Sequence, residues 1–179
     1  MQIWREGESE ANSNWFVTTD KPFEKMLFDI SITVPDSMTT LSNGLLVNSL
    51  PFVDKQRIDY WKMKKPMSAY LVMMAIGKLN QTIDKEWRGK EVSYYLEDAY
   101  HKDAKSIFKH TPEMIEFFSN KLNYPYPWQK YSQVVVRDFV SGAMENTSAT
   151  LHGDFVQKNK RELIDNQNDG IIAHELFHQ

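Results

Sequence analysis

Asn168-Asp169-Gly170-Ile171-Ile172-Ala173-His174-Glu175-Leu176-Phe177-His178 is the stretch on which the reading of this chain turns. Asn-Asp-Gly is a helix start signal. From Ile171 onward every residue is apolar except His174, Glu175 and His178. A helix that is apolar almost all round belongs in a protein interior. Residues four apart lie on one helix face, so His174 and His178 can aim their imidazoles at a single cation. For zinc the metal–nitrogen distances would be about 2.0–2.1 Å. Glu175, one step round, can reach a water at such an ion and take its proton. The plain alternative is two surface histidines on an amphipathic helix. The apolar flanks oppose it, because burying an unpaired imidazole pair is costly.

A catalytic zinc takes three protein ligands and keeps a fourth position open. With no cysteine in the chain, only imidazole and carboxylate are available. His101, His110, His152 and many carboxylates remain candidates for the third place; otherwise it lies beyond Gln179. Nothing after Gln179 remains to cover this apolar helix, so a continuation of the chain is expected.

Upstream, residues 133–136 and 147–151 have strand character and flank the loop Ser141-Gly142-Ala143-Met144-Glu145-Asn146. Before them, Thr111-Pro112 predicts an N-cap with proline in the first helical position. Met114, Ile115, Phe118 and Leu122 then form an apolar stripe, and Asn123-Tyr-Pro-Tyr-Pro127 ends that helix.

The first half has a different period. In Phe28-Asp-Ile-Ser-Ile-Thr-Val34 apolar residues alternate with polar ones, as in a half-buried antiparallel strand. Ser42-Asn43-Gly44 predicts a hairpin turn, and 57–62, 70–76 and 92–96 are further strand candidates. Short strands between turn signals indicate a sandwich or saddle. The expected fold class is therefore α+β. Residues 1–89 form the end of an antiparallel β-rich domain and 90–179 begin a mixed α/β domain, with the boundary at about 88–91.

The remaining composition excludes more than it specifies. The chain is 41% hydrophobic and 13% aromatic, which suits a packed globule rather than disorder. A formal charge of -3 gives no reason to expect nucleic acid or an anionic membrane as partner. The longest apolar run, 70–77, is too short to cross a bilayer, and Met1-Gln-Ile-Trp-Arg-Glu has no signal-peptide character. Compartment and oligomeric state stay open.

The two motifs together, Gly142-Ala143-Met144-Glu145-Asn146 and His174-Glu175-Leu176-Phe177-His178, resemble the aminopeptidase N family of zinc metallopeptidases, the gluzincin aminopeptidases. The likeness extends to Pro125-Tyr-Pro-Trp-Gln-Lys-Tyr131, His178-Gln179, Trp15-Phe-Val-Thr-Thr-Asp-Lys-Pro22, Pro66-Met-Ser-Ala-Tyr-Leu71 and Ala75-Ile-Gly77. It implies the end of that family's N-terminal β-domain and the start of its thermolysin-like domain. By this resemblance His174 and His178 are zinc ligands, Glu175 is the general base, and a downstream glutamate is the third ligand. His101, His110 and His152 then become bystanders. Glu145 would bind the free α-ammonium of a peptide substrate, a charge-assisted contact that admits only the first peptide bond. The backbone of Gly142 and Ala143 would pair with the extended substrate. Glu6 stands where the family usually has glutamine in the first-residue pocket, and would favour basic first residues. The implied activity is removal of N-terminal residues from peptides. A zinc endopeptidase and an inactive binding module of the same fold are the alternatives.

Overall fold

The computed structural model describes residues 1–179, which divide into two compact units, Met1–Lys78 and Leu79–Gln179. The first contains β1 (Gln2–Arg5), β2 (Lys25–Pro35), β3 (Thr39–Ser42), β4 (Leu45–Pro51), β5 (Gln56–Ser68) and β6 (Met74–Gly77). They form two antiparallel three-stranded sheets, ordered β1-β6-β3 and β2-β5-β4. The alternation predicted for β2 holds: Ile32 and Val34 are buried while Asp29, Ser31 and Thr33 are exposed. Trp61 on β5 is buried, and its indole N–H donates to Thr40 Oγ1 on β3 at 3.1 Å, joining the two sheets. A buried carboxylate, Asp59, accepts a two-pronged contact from Arg57, with both N···O distances 2.9 Å. Burial alone would raise its pKa; bonds from Arg57, Ser49 and Thr40 win and hold it below the usual carboxylate value.

Two expectations for this unit are corrected. Ser42-Asn43-Gly44 makes a turn but not a hairpin, since β3 pairs with β6 and β4 with β5. The turn carries the chain from one sheet to the other. Gly44 has φ +73°, and a Cβ there would lie 2.1 Å from the Lys62 carbonyl, so only glycine fits. The apolar run from Tyr70 is not one strand either. Ala69–Leu71 is a 3₁₀ turn, and the strand begins only at Met74.

The second unit is a five-stranded mixed sheet, ordered β10-β11-β9-β8-β7. Its strands are β7 (Leu79–Trp87), β8 (Lys90–Glu97), β9 (Lys130–Val136), β10 (Ala143–Met144) and β11 (Ala149–Gly153). The inner pairs β8–β9 and β9–β11 are parallel; the outer pairs β7–β8 and β10–β11 are antiparallel. Because β7 pairs with β8, the turn at Arg88-Gly89 lies inside a hairpin. The two compact units divide at Lys78/Leu79.

Five helices complete this unit: α1 (Asp98–His101), α2 (Ala104–Ile107), α3 (Thr111–Lys121), α4 (Glu162–Asp165) and α5 (Asp169–Phe177). Thr111 is the first residue of α3 rather than its cap, which is His110. Its hydroxyl instead accepts a hydrogen bond from Gln133 Nε2 at 2.9 Å, tying the helix start to β9. Ile115 is buried, but Leu122, expected on the same stripe, is exposed because the helix ends before it. Ile172 and Leu176 of α5 join Ile115, Tyr94, Phe108 and Tyr131 in the core. The fold is α+β, as expected, and no helix is long and apolar enough to cross a membrane.

Candidate metal centre and substrate loop

Helix α5 starts after Asn168, whose side-chain amide donates to the Val156 carbonyl at 2.8 Å rather than capping the helix. From there Ile172, Glu175 and Leu176 turn inward, and His174 and His178 turn outward. The expectation of a wholly interior helix is thus half met, and the exposed stripe is the one that carries the imidazoles. The two Nε2 atoms stand 3.3 Å apart, with the rings inclined at 71°. Two nitrogens bound to one tetrahedral zinc at about 2.0–2.1 Å would be separated by about 3.3–3.4 Å. The separation of the pair matches that spacing. Glu175 is only 4% exposed.

No group of three His, Cys, Asp or Glu side chains in residues 1–179 is placed to hold a metal. The remaining histidines are engaged elsewhere. His101 Nδ1 is 3.1 Å from the Thr82 hydroxyl, and His110 is 3.9 Å from Asp169. His152 is fully buried on β11, with Nε2 2.9 Å from Gln133 Oε1 and Nδ1 without a hydrogen-bond partner. Burial pushes its pKa down to about 3, so it stays neutral.

The loop 141–146 contains a short strand, β10. In β10, Ala143 pairs with His152 and Met144 with Leu151, extending the sheet by one strand at its edge. The Gly153 N–H donates to the Gly142 carbonyl at 2.9 Å. A Cβ on Gly153 would come within 3.2 Å of that oxygen, so a small residue belongs there. A Cβ on Gly142 would lie 3.9 Å from Ile171 of α5, which places the loop beside the helix that carries the histidines. Gly142 is exposed, and Ala143 and Glu145 are half-buried.

His174, Glu175, His178, Gly142, Ala143 and Glu145 all belong to the second unit. Glu6 belongs to the first, just after β1, where its carboxylate accepts the Glu8 backbone N–H at 3.0 Å. Sequence reasoning missed Gln179 as a structural link. Its Nε2 donates to the carbonyls of Glu145 (2.8 Å) and Asn146 (3.3 Å), and its Oε1 accepts the Ser148 N–H at 2.8 Å. A polar residue following the motif was visible, but its target was not.

The chain resembles known peptidases along most of its length. A family model described as the peptidase M1 N-terminal domain matches residues 1–71, and one described as the peptidase family M1 domain matches 106–179. Aminopeptidase N of Streptomyces lividans is 26% identical over 172 residues, covering 91% of this chain and 19% of that protein. Glutamyl aminopeptidase of Homo sapiens is 27% identical over 168 residues, covering 92% and 18%. Puromycin-sensitive aminopeptidase of Caenorhabditis elegans is 25% identical over 175 residues, covering 91% and 18%. The chain thus spans about a fifth of the length of these relatives. With both matching models drawn from one family, the second of them over the histidine helix, the chain belongs to the aminopeptidase N family, peptidase family M1.

Proposed function

We propose that the protein carrying this chain is a zinc-dependent aminopeptidase that hydrolyses the first peptide bond of peptides. The observation that carries this reading is the His174–His178 pair, with Nε2 atoms 3.3 Å apart beside the buried Glu175. In this reading His174 and His178 hold zinc, and the third ligand comes from outside residues 1–179, a glutamate by family likeness. The ion's contribution, when bound, is to polarise the scissile carbonyl and to make water a usable nucleophile near neutral pH.

The chain's own residues supply the rest. Glu175 takes a proton from the attacking water and returns it to the departing amine. Glu145 holds the substrate's α-ammonium through a charge-assisted contact. Ala143, on the edge strand β10, and Gly142 just before it offer backbone to an extended peptide, which lies against them as an added strand. Anchoring the amine at Glu145 admits the first bond and excludes internal ones.

The direct test compares an unmodified peptide with its N-acetylated form, using the full-length protein. Cleavage of the free-amine form alone is expected; equal cleavage of both would mean an endopeptidase, and no cleavage of either an inactive module.

A further inference from the structure

One polar side chain joins the helix of the metal pair to the loop of the amine anchor. Gln179 follows His178 directly, just past the end of α5, and its own N–H closes back on the Leu176 carbonyl at 3.1 Å. Its amide faces the backbone of 145–148 as a strand edge would. The donor side meets two carbonyls, those of Glu145 and Asn146, and the acceptor side meets the Ser148 N–H. The main-chain carbonyl of Gln179 is bound in turn by the Trp128 indole N–H at 2.9 Å, from the segment that leads into β9.

The turn that Gln179 grips is strained. Ser148 has φ +63°, in the left-handed region that costs a non-glycine residue free energy and persists only where surroundings enforce it. The Ser148 carbonyl is pinned from the other side by the Ser132 N–H (3.0 Å) and by the buried Nζ of Lys130 (3.2 Å). The backbone from Glu145 to Ser148 is therefore held between β9 and the end of the metal helix.

We propose that Gln179 is a positioning residue for substrate: it fixes the backbone of Glu145, and hence its carboxylate, relative to His174 and His178. The proposal rests on the aminopeptidase reading above. Only glutamine satisfies this contact. Glutamate would set a carboxylate against two carbonyl oxygens, asparagine is one methylene short, and methionine offers neither strong donor nor strong acceptor.

The test uses Gln179→Met and Gln179→Glu in the full-length protein, with an aminoacyl p-nitroanilide as substrate. In Gln179→Met, KM is expected to rise about tenfold or more while kcat changes little and zinc content is retained. Hydrogen exchange in the peptide covering 145–149 should speed up about tenfold as the Ser148 N–H loses its acceptor. Gln179→Glu keeps that acceptor, so it should raise KM with slower exchange than Gln179→Met. Wild-type KM and wild-type exchange in Gln179→Met would overturn the proposal. So would loss of zinc and kcat at unchanged KM, which would make Gln179 merely the end of the metal helix. Should the wild type cleave no free-amine substrate, the aminopeptidase reading fails. Exchange at 145–149 then decides the clamp by itself: acceleration supports it, and wild-type exchange overturns it.

Discussion

At the scale of single residues, two carboxylates with different surroundings carry the two proposed tasks. Glu175 is 4% exposed and adjoins His174 in sequence, and the proposed reading makes it the general base. Glu175→Gln keeps the shape and removes the proton acceptor. It is expected to lower kcat by about 10²–10⁴-fold while zinc still binds; activity within a few-fold of wild type would remove Glu175 from the role. Glu145 is half-buried on a loop whose backbone is held at the Glu145 carbonyl by Gln179. Glu145→Gln is expected to cost about 10–100-fold in kcat/KM for free-amine substrates, the size of a hydrogen bond to a charged partner. Unchanged kcat/KM would show that another group binds the amine.

At the scale of elements, the edge strand β10 depends on what lies under and beside it. His152, paired with Ala143, is buried and neutral, with its pKa held down at about 3 by burial. An unfolded chain titrates this imidazole near 6.5. Between those values the unfolded state binds more protons than the folded one, so stability rises with pH and is lost as pH falls from about 6.5 toward 3. The contribution amounts to about 2 kcal/mol between pH 7 and pH 5. Urea unfolding at both pH values should show this loss in wild type and a smaller one in His152→Gln; equal losses would mean the imidazole is not held neutral. Gly153 matters for a steric reason, since a Cβ there already lies 3.2 Å from the Gly142 carbonyl and the Phe155 ring. A valine at this position should push β10 off its register and cost about 1–3 kcal/mol.

At the scale of the whole molecule, the two units differ in how plainly they could be read. The helix that carries the histidines was legible because its start signal and its motif agree. Strand β2 was legible because Ile32 and Val34 alternate with Ser31 and Thr33, and one buried face demands that pattern. The partners of β3 and β4 were not legible: a Ser-Asn-Gly turn reads the same whether the strands pair together or join separate sheets. The division at Lys78/Leu79 was hidden for a similar reason, since β7 declares its unit only by pairing with β8. The incomplete ligand set belongs to this scale too. With two imidazoles placed for a metal and no third group near them, the 179-residue chain is expected to bind zinc weakly and show no peptidase activity. Tight zinc binding by this chain in equilibrium dialysis would contradict that expectation.

The sequence by itself determined that one helix would carry two imidazoles and a carboxylate at metal-site spacing, because helical geometry turns i and i+4 into neighbours whatever the rest of the chain does. It also determined the family likeness, which residue identity alone carries. Only the tertiary structure decided that His174 and His178 face outward with their nitrogens 3.3 Å apart, that His152 is sealed in the core, and that Gln179 grips the loop of Glu145. The last two outcomes depend on contacts between residues roughly 20–35 positions apart in the chain, and such contacts follow from packing rather than from any local period.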